Sequence, residues 1–385
     1  MMQVARQSLR LLAILVASGA FSAPLAAAPY TPTSDALVLA QVPAGAHHED
    51  ISARRLSRGR LDVAIPLAQF YIGQARNSGD LRFLGYAEGI LAPWVAQSAA
   101  PPAALVLQAT LQQSRHEFAA ALATLDRALS ARPDDAQAWL TRATILRVLG
   151  RYGEAHEACR RFSLRADASL GAICQQSLLG LNGQLGRAYE VLSAVSTQGM
   201  RDAERAWRCA ELGEMAVRLG REQDAEAWFR EDLQLTPQDF YVRAAYADLL
   251  LRQNRSAEVL VLLKGQESIE PLLLRLAIAQ RQERNPGLVR SRELLDAAFA
   301  AENQRGEAVH RREQARFLLE VENRPSEALV AALANWRVQR EPDDLLVLVN
   351  AARAAGAPSQ ASPALEFAHW RGLEDIRLGG TETKS

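Results

Sequence analysis

The 385-residue chain has little of what most chemistries need. It has three cysteines and six histidines, and aromatic residues make up only 6% of it. Lys+Arg and Asp+Glu are both 44, so there is no net charge. No basic face stands out. That argues against nucleic acid, whose binding rests on clustered Lys and Arg neutralising phosphates, and it leaves no polybasic membrane patch. H-E-x-x-H, G-x-S-x-G and G-x-x-x-x-G-K-[ST] are all missing, so the common metalloprotease, serine-hydrolase and phosphate-loop mechanisms have no foothold. The expectation is a protein that is not an enzyme and takes no cofactor. Runs of β-branched or aromatic residues are scarce too. Abundant Ala, Leu and Arg favour helix throughout.

What is present is periodicity. In Ala136 to Phe162, residues Trp139, Ala143 and Leu146 fall on one helical face. Gly150 interrupts, and Tyr152, Ala155, Cys159 and Phe162 begin a second face. A two-helix unit with one apolar side per helix cannot bury both alone, so copies are expected. Ala155 has counterparts at Ala121, Ala188 and Ala225, and looser ones at Val259 and Ala328. Steps of about 34 residues mark a stacked helical array. Pro133-Asp134-Asp135, Pro237-Gln238-Asp239 and Pro342-Asp343-Asp344 read as closures in which Pro stops one helix and Asp caps the next.

These residues resemble the tetratricopeptide repeat (TPR) family from about Pro101 to Trp370. Trp139, Gly150, Tyr152 and Ala155 match the family pattern, as do Leu212-Gly213, Gly220, Ala225, Phe229 and Pro237. Arg142-Ala143 stands for Leu-Gly, Cys159 for Phe and Cys209 for Trp. The resemblance implies an all-α, right-handed superhelical solenoid of antiparallel helix pairs. It divides the chain into a helical cap or diverged repeat at 50–98, regular repeats at 102–269, and diverged repeats at 270–376. Residues 377–385 are polar and read as a disordered tail.

Residues 1–28 have the layout of a cleavable signal peptide: Arg6 and Arg10, an apolar stretch from Leu11 to Ala17, small residues to Ala28, and no acid before Asp35. The expected location is the periplasm, with no membrane insertion after cleavage. An uncleaved helix anchoring the chain in the inner membrane is the alternative. Residues 29–49 read as a linker, with His47-His48-Glu49-Asp50 as a solvated loop and no metal site.

Candidate site residues follow from the family register. The first helix of each TPR repeat lines a groove that usually receives a peptide or protein. This places Leu140, Thr144 and Arg147, Trp207, Glu214 and Arg218, and Tyr241, Asp248 and Arg252 inside. The lysines and asparagines of the chaperone-tail clamp are missing: Val106, Leu140, Ile173, Ala210 and Ala244 occupy the Lys positions. Arg147, Arg218 and Arg252 can meet acids on a ligand or pair with Glu214 and Asp248 within the solenoid. TPR-like stacking makes the helices of Cys159 and Cys174 neighbours, so a disulfide is geometrically possible, and two buried thiols are the alternative. The reading is a scaffold or adaptor for a protein or peptide of the cell envelope. A subunit of a secretion or polysaccharide-export complex is the alternative. Partner identity and oligomeric state are not legible.

Overall fold

The computed structural model describes residues 56–305 and 310–381. The expected signal peptide, linker and His47–Asp50 loop lie outside them. Among the described residues there is no strand, and no helix is long and apolar enough to cross a membrane. The described residues form an all-α solenoid of nine helix pairs: α1 and α2 (Leu61–Ser78, Arg82–Val95), α3 and α4 (Pro102–Ser114, Phe118–Ala131), α5 and α6 (Ala136–Val148, Tyr152–Ser163), α7 and α8 (Ala168–Leu179, Leu185–Ser193), α9 and α10 (Asp202–Arg218, Glu222–Leu235), α11 and α12 (Phe240–Arg252, Ser256–Leu262), α13 and α14 (Glu270–Gln282, Leu288–Arg305), α15 and α16 (Arg311–Arg316, Pro325–Trp336), and α17 and α18 (Pro342–Ala354, Ser362–Arg371). A π-helical turn, Phe317–Val321, extends α15.

The repeat alphabet becomes packing. Ala121, Ala155, Ala188, Ala225, Val259 and Ala328 are all completely buried. A small side chain there lets the two helices of a pair approach. Gly213 serves the same purpose on α9: a Cβ at that position would collide with the Phe229 ring. Asp135 and Asp239 cap α5 and α11, accepting from the amides of Ala138 (2.9 Å) and Val242 (3.1 Å). The third closure differs from expectation. Pro342 is the first residue of α17 and does not end a helix. Pro suits that position because it has no N–H to lose at a helix start, and Asp344 reaches back to accept from the Glu341 amide at 2.9 Å. Cys159 and Cys174 are disulfide-bonded between α6 and α7, Cα atoms 5.7 Å apart. Cys209 is a buried free thiol.

The turns inside successive pairs repeat a left-handed residue, among them Gly150, Gly183 and Gly220. Along these three turns runs the end of the chain. Arg340 donates its amide to the Val148 carbonyl at 2.8 Å. Phe367 packs on Gly150, Gly372 lies against Gly183, and Ile376 lies against Gly220. Glu374 accepts from the Leu185 amide at 3.2 Å. The expected disordered tail at 377–385 is thereby corrected in its first part: Ile376–Thr381 is a 3-10 helix. Arg377 binds Asp375 at 2.6 Å and Asp343 at 2.7 Å, ion pairs that tie it to α17. Polar composition predicts solvation, whereas folding supplies the charge of Arg377 with partners. At the other end, Gly79 after α1 touches Ile269 before α13, so the concave face curls until the first pair meets the seventh.

Candidate functional site: a charged cavity on the concave face

The curl encloses a cavity of about 530 Å³. Five of the nine expected groove residues line it: Glu214, Arg218, Tyr241, Asp248 and Arg252. They come from the inner faces of α9 and α11, four or seven residues apart, as one stripe of a helix requires. The other four do not line it. Trp207 is half-buried in the seam between two apolar clusters and donates its indole N–H to Glu211 at 3.2 Å. Leu140 packs into the neighbouring cluster. The Thr144 hydroxyl bonds back to the Leu140 carbonyl at 3.1 Å, within its own helix. Arg147 is claimed by Glu211 at 2.9 Å and by Glu341 of the returning segment at 3.6 Å. Those carboxylates, Glu211 foremost, raise its pKa despite burial.

Family register could not supply the rest of the wall. Arg76 comes from α1, Arg275 from α13, Arg312, Glu313 and Arg316 from α15, Asp343 from α17, and Arg377 from the final turn. The weighed pairing of Arg147, Arg218 and Arg252 with Glu214 and Asp248 does not occur. Asp248 is held by Arg275 at 2.8 Å and Arg316 at 2.9 Å. Burial pushes its pKa up, but the two guanidiniums outweigh that and the net shift is down. Glu214 accepts from the Tyr241 hydroxyl. Burial, with the Glu211 charge, raises the Glu214 pKa, while Arg147 and the tyrosine bond oppose it. Arg218, only 6% exposed, donates to the Gly180 carbonyl at 2.7 Å.

Two histidines on this wall differ in charge. Burial, reinforced by nearby His310, drives His116 down to about 4. It is neutral, its Nδ1 3.2 Å from the Gln339 amide nitrogen. His310 is buried as well, which favours the neutral form. Its hydrogen bond to Glu302 and the charges of Glu270, Glu302 and Glu313 outweigh that and raise it to about 9. Its Nδ1 lies 2.5 Å from Glu302 and 3.3 Å from Glu270. That trio has the donor types of a cation site, and the two carboxylates favour the protonated form of the imidazole.

The cavity offers an aromatic edge, apolar patches at Leu81, Leu251 and Leu346, and guanidiniums. The wall is largely built of ion pairs.

No protein-family model matches the chain, and no curated protein matches it. Solved structures do resemble it. A tetratricopeptide repeat protein from Parabacteroides merdae is 16% identical over 60% of this chain and 93% of its own, with a TM-score of 0.39. The Cut9–Hcn1 hetero-tetramer of the APC/C is 14% identical over 82% of this chain and 50% of its own, TM-score 0.41. The human IFIT1 dimer with PPP-AAAA is 12% identical over 84% and 95%, TM-score 0.44. At these scores the superpositions carry no argument about function.

Proposed function

Since the chain is a solenoid of tetratricopeptide-type helix pairs, we propose that it works without catalysis, as a binding module for a segment of another cell-envelope protein or a peptide. The concave cavity is where that segment seats. The observation that carries this is Tyr241, which stands in the cavity with 47% of its surface exposed, beside the Arg147–Glu341 pair of the returning segment. An exposed aromatic ring beside accessible guanidiniums has the composition of an interface hot spot. Export to the periplasm belongs to the same reading. It is supported by the signal-like pattern of residues 1–28 and by the Cys159–Cys174 bond, which an oxidising compartment sustains.

The test is photo-crosslinking in native cells, with a photoreactive phenylalanine analogue at Tyr241 and, as an outer-face control, at Val261, which is exposed on α12. One dominant envelope protein captured from position 241, and lost on Arg252→Glu, supports the reading. A partner captured only from position 261 overturns it and moves the working surface to the convex side. A stable membrane complex co-purifying with the captured partner would make the chain a subunit of an export machine. Osmotic-shock fractionation, with N-terminal sequencing of the mature chain, tests the compartment.

A further inference from the structure

We propose that the ligand enters the cavity with an oxyanion, a carboxylate or a phosphate, seated between the guanidiniums of Arg218 and Arg252. This rests on the binding reading above and names the chemistry of the partner. Most guanidiniums on the cavity wall have a carboxylate: Arg275 and Arg316 share Asp248, Arg312 lies 3.5 Å from Asp344, and Arg377 holds Asp343 and Asp375. Arg76, Arg218 and Arg252 have no carboxylate partner among the described residues.

The carboxylates that act on Arg218 and Arg252 from a distance are engaged by other groups. Asp248, Asp343 and Asp375 are already bound, and Glu214 is engaged by Tyr241. Asp239, whose charge acts on Arg76, uses its side chain to cap α11. Arg218 has five N–H donors and gives one to Gly180. Arg218, only 6% exposed, does not shed its proton to escape burial, and an enclosed charge without a counter-charge is unfavourable; Arg252 on the same wall is exposed and open to a ligand. The placement is also organised. Arg218 and Arg252 each end a concave helix, α9 and α11, in successive pairs. Arg377 of the final turn acts on both, its own charge already matched by Asp343 and Asp375. Two guanidiniums without a contacting carboxylate are therefore gathered where an anion would bridge them. A planar guanidinium fork matches carboxylate and phosphate oxygens in pairs. The volume suits a short peptide end or a small molecule.

The experiment titrates the full chain with inorganic phosphate and with citrate, against chloride at equal ionic strength, by calorimetry and thermal shift. Saturable binding of at least one probe is expected, weakened roughly ten- to a hundredfold in Arg252→Gln and partly restored in Arg252→Lys. Arg252 is solvent-accessible, so this variant keeps its fold, checked by circular dichroism; Arg76→Gln, beside Asp239 at the other end of α11, is the control and should bind as the parent does. Preference for phosphate identifies a phosphorylated ligand, and preference for citrate a carboxylate ligand. Binding no tighter than chloride, or equal binding by parent and Arg252→Gln, overturns the proposal. The Tyr241 crosslink reads out separately. A partner captured equally by Arg252→Gln leaves the binding module standing and removes the oxyanion.

Discussion

Replacing Gly150 by alanine tests whether the end of the chain really braces the turns. The cost has two parts. Gly150 has φ +70°, and an L-residue in the left-handed region costs about 1–2 kcal/mol. The added Cβ would lie 2.7 Å from Cζ of Phe367 and 3.2 Å from Cδ of Arg340. Phe367 cannot simply swing away. Its ring is edge-on to Trp336 at 5.7 Å, tilted against Tyr152 at 6.2 Å, and covered by the guanidiniums of Arg340 and Arg371. Overpacking of this kind costs about 1–3 kcal/mol, so the total is about 2–5 kcal/mol. Gly356 is the control: its φ is +68°, and nothing lies within 4 Å of a Cβ there. Gly356→Ala should cost only the backbone part, about 1–2 kcal/mol. Urea unfolding followed by circular dichroism measures both. Because stacked repeats can open in sections, tryptic release of the peptide after Arg371 should be followed too, and should accelerate only in Gly150→Ala. Adding Phe367→Leu to Gly150→Ala should recover much of the steric part. If Gly150→Ala costs no more than Gly356→Ala, and trypsin treats them alike, the C-terminal segment does not rest on the turns and the described closure is wrong.

Three further outcomes follow from particular groups. The Cys159–Cys174 bond spans 15 residues and should stabilise by about 3 kcal/mol. Dithiothreitol should lower the melting temperature of the parent and leave that of the Cys159→Ser/Cys174→Ser variant unchanged. Burial pushes the Cys209 thiol up to about 12, so Ellman's reagent should find no thiol in the native chain and one after unfolding without reductant. Asp232 is completely buried, bonded by the Thr236 hydroxyl at 2.9 Å, and burial raises its pKa to about 7. The folded state then keeps a proton that the unfolded state loses near pH 4. Stability should fall as pH rises from about 4 to 7 and level off above. Asp232→Asn should flatten that slope and exceed the parent at pH 8 by about 1–3 kcal/mol, read from urea midpoints.

The repeat architecture was legible without coordinates, because a helix pair is a local object. Apolar spacing, a small residue at Ala155 and its counterparts, and a capping Asp135 or Asp239 all act within one period. Family register also brought Glu214, Arg218, Tyr241, Asp248 and Arg252 to the concave side, since successive first helices present the same stripe. Only the tertiary structure decided what that stripe faces. Each pair adds a small rotation, and the sum determines whether Gly79 meets Ile269 and whether Phe367 meets Gly150. No local pattern records such a sum. Charge shows the same division. Equal totals of acids and bases concealed any basic site. Folding then spent the acids on Arg275, Arg312, Arg316 and Arg377, and left Arg76, Arg218 and Arg252 without carboxylate partners among the described residues. Composition counts charges, whereas the electrostatics of a cavity depends on which of them are already paired.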